Sequence, residues 1–331
     1  MTNTGDLWGI VLAGGSGQRL QPFLKRLGHE NPIKQFCAIT GDRTMLEQTW
    51  QRAERLIPPA RVLTVVDASH ADIFREQLSA RAPGTVIVQP ANRETGPGTL
   101  LPLAHVLHAD PEASVVLLPS DHFVEEEERF MQHVEIGAWL ARRGRPTVSL
   151  LGVEADRPDS EYGWIEVRRA GRHRSSCVLP IANFWEKPPP ACALRLYEDG
   201  HLWSTMVTVA RGASLWALFR AAVPRLHRTF ERIESALGTS GEAPTIRAAY
   251  DVMPSCSLSK AVFERLPSRL AAIPVRGVHW SDWGREERIV ESLARLGHLI
   301  PSAAHRGDAP AGQREWREIQ GAPAELERPH Q

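Results

Sequence analysis

The chain has 331 residues, 42% of them hydrophobic, which is enough for one large α/β domain or two smaller ones with ample core. Its 39 basic and 39 acidic side chains cancel, leaving no basic surplus to hold nucleic acid and no acidic tail. No apolar stretch approaches the roughly 20 residues that span a membrane, and the opening MTNTGDLW lacks the charged-then-apolar pattern of a signal peptide, so a cytoplasmic protein without a membrane partner is expected.

The first predicted element is a buried strand over residues 7–13, a short apolar run of β-branched character. It stops at Gly14, Gly15, Ser16 and Gly17. Small residues directly after a strand let the backbone turn sharply and point several N–H groups into one concavity, which is how chains hold phosphate oxygens. Arg19 adds a planar fork of donors suited to phosphate. Two other glycine-loop readings fail: a dinucleotide fingerprint would need glycine where Leu20 stands, and no P-loop GKS or GKT follows. A plain turn would not account for Arg19, or for Lys34 beside Pro32 and Gln35. The run LAGGSGQRLQP followed by KQF resembles the signature of the sugar-phosphate nucleotidyltransferases, and within them is most similar to the mannose-1-phosphate guanylyltransferases. That resemblance implies a glycine loop binding nucleotide and a catalytic Arg19 and Lys34 on the triphosphate. Ile33 intervenes between Pro32 and Lys34, where the family usually has the proline directly before the lysine.

A helix over 45–56, a strand over 62–66, a helix over 71–80 and a strand over 86–88 follow. Such alternation predicts an α/β fold, a Rossmann-like, mainly parallel sheet with helices on both faces and ligands at the carboxyl ends of the strands. Gln89-Pro90 and the loop from Ala91 to Gly98 then lead into a helix through His108. This loop resembles the one with which the family reads base and ribose, an acid-proline followed by RNTAP, and the resemblance makes Gln89, Arg93 and Thr95 nucleotide-binding. Gln89 stands where the family has an acid and Glu94 where it has asparagine; the amide of Gln89 offers both a donor and an acceptor. A polar loop capping the helix is the simpler alternative.

Residues 114–118 form a strongly apolar strand, with Asp121 just beyond its end. LLPSDH is similar to the family's LPADH, whose aspartate binds magnesium, which implies a first metal ligand at Asp121; His122 has no partner pattern for zinc. The acids from Glu125 to Glu128 open a helix reaching Ala141. After a strand over 147–153, Tyr162-Gly163-Trp164-Ile165-Glu166 resembles the family's YGYIE and Trp185-Glu186-Lys187-Pro188 its FxEKP. Both resemblances imply a sugar-phosphate site, with Tyr162, Gly163 and Glu186 at the sugar and Lys187 on its phosphate. Leu202 to Met206 takes the place of LWNSGMF, so Ser204, a further sugar-site residue, replaces asparagine and Met206 replaces glycine. Ser257-Leu258-Ser259-Lys260 replaces SIDY. Trp280-Ser281-Asp282-Trp283-Gly284 resembles WxDVG, which implies Asp282 as second magnesium ligand; magnesium characteristically takes one or two protein carboxylates. The tryptophans in these stretches, Trp164, Trp185, Trp203, Trp280 and Trp283, are read as core.

A helix over 286–296 ends near Gly297. Residues 1–300 are read as one catalytic domain and 301–331 as a polar tail without periodicity. Cys37, Cys177, Cys192 and Cys256 show no CxxC pair and are read as small buried thiols, neither disulfides nor a zinc site. Lysine occurs only at positions 25, 34, 187 and 260, which marks places that keep a compact ammonium in an arginine-rich sequence, unless by chance. The resemblance implies magnesium-dependent nucleotidyl transfer from a nucleoside triphosphate, GTP favoured, to a sugar 1-phosphate, mannose 1-phosphate favoured. A different base or sugar, or a catalytically silent nucleotide-sugar-binding regulator, are the alternatives. The sequence admits a homodimer.

Overall fold

The first strand of the computed structural model, β1 (Leu7–Leu12), buries Leu7, Ile10 and Val11 completely, as a run without polar alternation must when both faces of its sheet are covered. The structure describes residues 6–144, 148–168 and 177–297; the tail predicted over 301–331 lies outside them. In chain order the further strands are β2 (Val62–Asp67), β3 (Val86–Gln89), β4 (Ser114–Pro119), β5 (Phe123–Val124), β6 (Val148–Glu154), β7 (Gly163–Val167), β8 (Leu179–Glu186), β9 (Leu202–Arg211), β10 (Leu270–Val275) and β11 (Trp280–Ser281). Nine of them form one sheet in the order β3-β2-β1-β4-β9-β6-β10-β8-β7, and β5 and β11 pair separately.

The half from β3 to β4 is parallel throughout, as the strand-helix alternation predicts. The other half is mixed. There β9 runs antiparallel to β4 and β6, β8 is antiparallel to β10 and β7, and β10 is parallel to β6. Antiparallel neighbours need no crossover helix, and the alternation that announces parallel strands is accordingly missing from this stretch. The sheet is therefore mixed, within an α/β fold with helices on both faces.

One face is covered by the helices Thr95–Ala109, Gly212–Ala222, Pro224–Ala236 and Glu242–Val252. The opposite face is covered by Met45–Glu54, Glu127–Arg142 and Pro190–Glu198. A third, smaller cluster joins Leu20, Phe23 and Leu24 of the first helical segment to Trp283, Ile289 and Leu293, bringing the helix Glu286–Arg295 against the start of the chain. The helix expected over 71–80 is broken into Ala68–Ala71 and Arg75–Ser79. Asp67 caps the first piece by accepting from the Ser69 N–H, and between the pieces Phe74 stacks on Phe36 at 3.8 Å, a tertiary contact that local periodicity does not register. Trp164, Trp203, Trp280 and Trp283 are buried, as read, while the half-buried Trp185 donates its indole N–H to Glu166. All four cysteines are free, as expected, but Cys177 is exposed.

Candidate active site

A cavity of about 370 Å³ opens at the carboxyl ends of β1, β3 and β4, lined by Gly14, Gly15 and Gly17 together with Gln89, Asp121 and Met206 among others. The glycine loop has little choice of residue: a Cβ on Gly14 would lie 2.5 Å from Gln89 Nε2, and at Gly17, with φ 57°, a Cβ would lie 3.2 Å from Lys34 Cβ. Side-chain amides take the loop's carbonyls one after another. Gln35 Nε2 donates to Ala13 O at 2.9 Å and to Gly15 O at 2.7 Å, Asn92 Nδ2 to Gly14 O at 2.8 Å, and Gln21 Nε2 to Ser16 O at 3.4 Å. With its carbonyls tied back, the loop presents its N–H side to a ligand, the electrostatic requirement for an anion. Sequence reasoning assigned no role to Gln21 or Asn92 and noticed Gln35 only as a neighbour of Lys34. Their signal, amides close in sequence to the loop or to Gln89, is too weak to read alone.

Lys34 sits on the single-turn helix Lys34–Phe36. Its side chain is only 4% exposed and its Nζ lies 3.1 Å from Asp121 Oδ2, while it also donates to the main-chain carbonyl of Asp282. Three residues far apart in sequence thus meet at one ammonium. Burial acts to raise the Asp121 carboxyl, but the Lys34 charge, the neighbouring His122 and the Lys34 hydrogen bond together outweigh it and hold the group below its ordinary value. Asp282 Oδ1 accepts from Gly284 N–H at 2.9 Å and from Arg288 Nη1 at 2.5 Å. Arg288 in turn reaches Asp159 at 2.6 Å and lies over the Tyr162 ring, 3.9 Å from its centroid. Arg288, six residues beyond Asp282, is a positioning residue that the sequence did not reveal.

Asp121 and Asp282 are oxygen donors of the kind a small hard cation takes; here Lys34 stands between the Asp121 carboxylate and the main-chain carbonyl of Asp282, while Gly284 and Arg288 engage the Asp282 carboxylate. No group of three or more His, Cys, Asp or Glu converges among the described residues, and magnesium needs no more than one or two protein carboxylates when phosphate and water complete its shell.

The other predicted residues divide into three groups. Gln89 and Thr95 line the cavity, Gln89 accepting from Tyr250 OH at 3.5 Å and Thr95 Oγ1 accepting from Leu258 N–H at 2.9 Å. Gly163, Glu186 and Ser204 gather beside it: a Cβ on Gly163 would stand 3.1 Å from Glu186 Oε2 and 3.4 Å from Ser204 Cβ. Burial raises the Glu186 carboxyl against the opposing charge of Lys187. Arg19, Arg93 and Tyr162 are spent elsewhere. Arg19 is at the rim, paired with Glu161 at 3.0 Å; Arg93 donates to Tyr250 O at 3.1 and 2.8 Å; Tyr162 is buried against Trp203 and Trp280. Ser16 lies in the loop itself, and Lys187 is exposed.

Among the described residues, four other than glycine have positive φ: Glu94, Lys187, Met206 and Trp283. Each falls in or beside one of the motifs. Such conformations cost about 1–3 kcal/mol and persist where surroundings over-determine them, typically at functional sites.

Residues 8–292 match the family described as nucleotidyl transferase. The alginate biosynthesis protein AlgA of Pseudomonas aeruginosa is 28% identical over 281 residues, which cover 83% of this chain and 56% of that protein. A mannose-1-phosphate guanylyltransferase of Salmonella muenchen is 26% identical over 283 residues, 83% of this chain and 57% of its own. The chain therefore spans little more than half the length of these curated relatives. Among solved structures, a Thermus thermophilus protein described as mannose-1-phosphate geranyltransferase superposes with a TM-score of 0.75 at 28% identity, covering 89% of this chain and 80% of its own. A Helicobacter pylori protein described as mannose-6-phosphate isomerase, at 17% identity and a TM-score of 0.65 over 83% of this chain and 99% of its own, shares the fold.

Proposed function

We propose that this chain, which belongs to the nucleotidyl transferase family, transfers a nucleoside monophosphate from a triphosphate to a sugar 1-phosphate, releasing pyrophosphate, with GTP and mannose 1-phosphate as the favoured pair. The reaction joins two anions. The sugar phosphate is already ionised near neutral pH and needs no catalytic base, so the task is to position both partners and offset their repulsion. The glycine loop offers N–H groups to the β- and γ-phosphates, with Arg19 at the rim. Lys34, held in a nearly dry setting, supplies a fixed positive charge at the α-phosphate, where it acts more strongly than in water. Lys187 meets the incoming phosphate, and Glu186 accepts sugar hydroxyls. Asp121 and Asp282 would hold magnesium, which when bound supplies Lewis-acid charge to the phosphoryl oxygens.

The observation that carries this reading is that buried Lys34 joins the Asp121 carboxylate, which lines the glycine-loop cavity, to the main-chain carbonyl of Asp282. The choice of GTP and mannose 1-phosphate is supported by the relatives' names. Gln89 in place of the family's acid, and Met206 on the cavity wall, favour as second reading a transferase for another base or sugar. The test is a matrix of triphosphates against sugar 1-phosphates, with pyrophosphate measured and products weighed by mass spectrometry. A nucleotide sugar forming fastest from GTP and mannose 1-phosphate is expected; no pyrophosphate from any pair would leave a binding protein in its place.

A further inference from the structure

We propose that Met206 determines which sugar 1-phosphate the site accepts, closing the sugar side against a bulky substituent such as an N-acyl group. The proposal rests on the nucleotidyl-transfer reading above. The backbone supplies the first observation. Between the pairs Gly152–Ser204 and Leu150–Thr208, β9 advances four residues while β6 advances two, and within that bulge Met206 has φ 60°. Bulges re-aim side chains beside active sites.

This bulge is fully supported. Met206 N–H donates to Ser204 Oγ at 3.2 Å, Thr208 Oγ1 to Met206 O at 3.1 Å, Val207 N–H to Thr205 Oγ1 at 3.3 Å, and Thr205 Oγ1 to Leu151 O at 2.8 Å. Glycine would adopt this conformation without strain, so a methionine kept there is held for what its side chain covers.

The second observation is where that side chain lies. Met206 lines the cavity, and its Sδ accepts from Ser259 Oγ at 3.1 Å. Ser259 is itself buried and stands beside the Glu186 carboxylate. Among the sugar-side residues, Glu186 and Ser204 both stand close to Gly163, and none of the three lines the cavity. Met206 reaches both cavity and sugar side: it lines the cavity, its N–H donates to Ser204 Oγ, and its Sδ meets Ser259, the neighbour of Glu186. A thioether has no proton to donate and accepts weakly, and this one already faces Ser259 Oγ, so the side chain offers an apolar wall and no hydrogen-bond partner to an added acylamino arm.

Met206→Gly and Met206→Ala are compared with the parent on mannose 1-phosphate and N-acetylglucosamine 1-phosphate, by pyrophosphate release with GTP and by calorimetric titration of each sugar phosphate, which needs no turnover. In Met206→Gly the kcat/KM ratio of the acetylated to the plain sugar should rise about 10- to 200-fold, the span that a small change in pocket volume gives, with Met206→Ala between. The affinity ratio should move the same way. Both ratios staying within twofold of the parent in both variants, or no binding of either sugar by any of the three proteins, overturns the proposal. If no protein releases pyrophosphate, the transfer reading fails and the calorimetric ratio alone decides the role of Met206.

Discussion

Lys34→Ala tests the centre of the site. Removing the ammonium takes away the charge offered to the α-phosphate and leaves Asp121 without its partner. Loss of one preorganised donor at a developing charge costs about 10²- to 10³-fold in kcat, or ~2.7–4 kcal/mol. The fold should lose less. Breaking a fully buried pair costs about 3–5 kcal/mol, but the Asp121 side chain is 41% exposed toward the cavity, and water there screens the orphaned carboxylate, so about 1–2 kcal/mol is the reasonable expectation.

The sign with pH follows from the depressed Asp121 carboxyl. Its contribution to stability is present above the ordinary carboxylate range, near pH ~4, and is lost as pH falls through the lowered value. In Lys34→Ala that acid-side loss should shrink. The assay is single-turnover pyrophosphate release beside urea denaturation at neutral and acid pH. A fall in kcat smaller than about tenfold would remove Lys34 from the transition state.

The remaining expectations concern its neighbours. Asp282→Asn keeps an acceptor for Gly284 but loses the charge facing Arg288, and should move the magnesium midpoint of activity upward about tenfold or more; an unchanged titration would place the second ligand elsewhere. Gln35→Leu orphans the carbonyls of Ala13 and Gly15 and should cost about 1–3 kcal/mol in urea denaturation while raising KM for the triphosphate; an unaltered KM would mean the loop holds its shape without it. Burial would raise the Glu166 carboxyl, but hydrogen bonds from Trp185, Asn183 and Arg195 bring it down to about 2. Its stabilisation is therefore present above the ordinary glutamate range and lost as pH falls toward 2. Glu166→Gln should flatten the acid limb of a thermal-melting profile between pH 5 and about 2, and a parallel limb would refute the assignment.

Much of this site was legible in the sequence because its parts are strand-end devices. A strand followed by small residues and an acid at the tip of an apolar strand are local patterns with local causes, and they mark the glycine loop and Asp121. Lys34 and Asp282 are named only through the family resemblance. What the sequence hid is relational. The resemblance makes Arg93 nucleotide-binding, but a carbonyl of the helix Glu242–Val252 claims its guanidinium. Arg288 reads as an ordinary helix residue, yet it fixes Asp282. The mixed half of the sheet escaped because strand direction depends on which neighbour closes an edge, a matter of tertiary choice outside any window of sequence. The left-handed backbone at Met206 had one clue, the glycine that the resembling motif carries there.

The place of β9 between β4 and β6 has a consequence for how the chain is made. Until Leu202–Arg211 leaves the ribosome, β4 ends the nascent sheet as a bare, apolar edge, open to pairing with another copy. The helix that steadies Asp282 comes later still, so the charge on Lys34 waits 248 residues for its carbonyl partner. Slowing translation ahead of β9 should therefore raise aggregation more than slowing it afterwards, because the last segments dock on a sheet whose vulnerable border is already sealed.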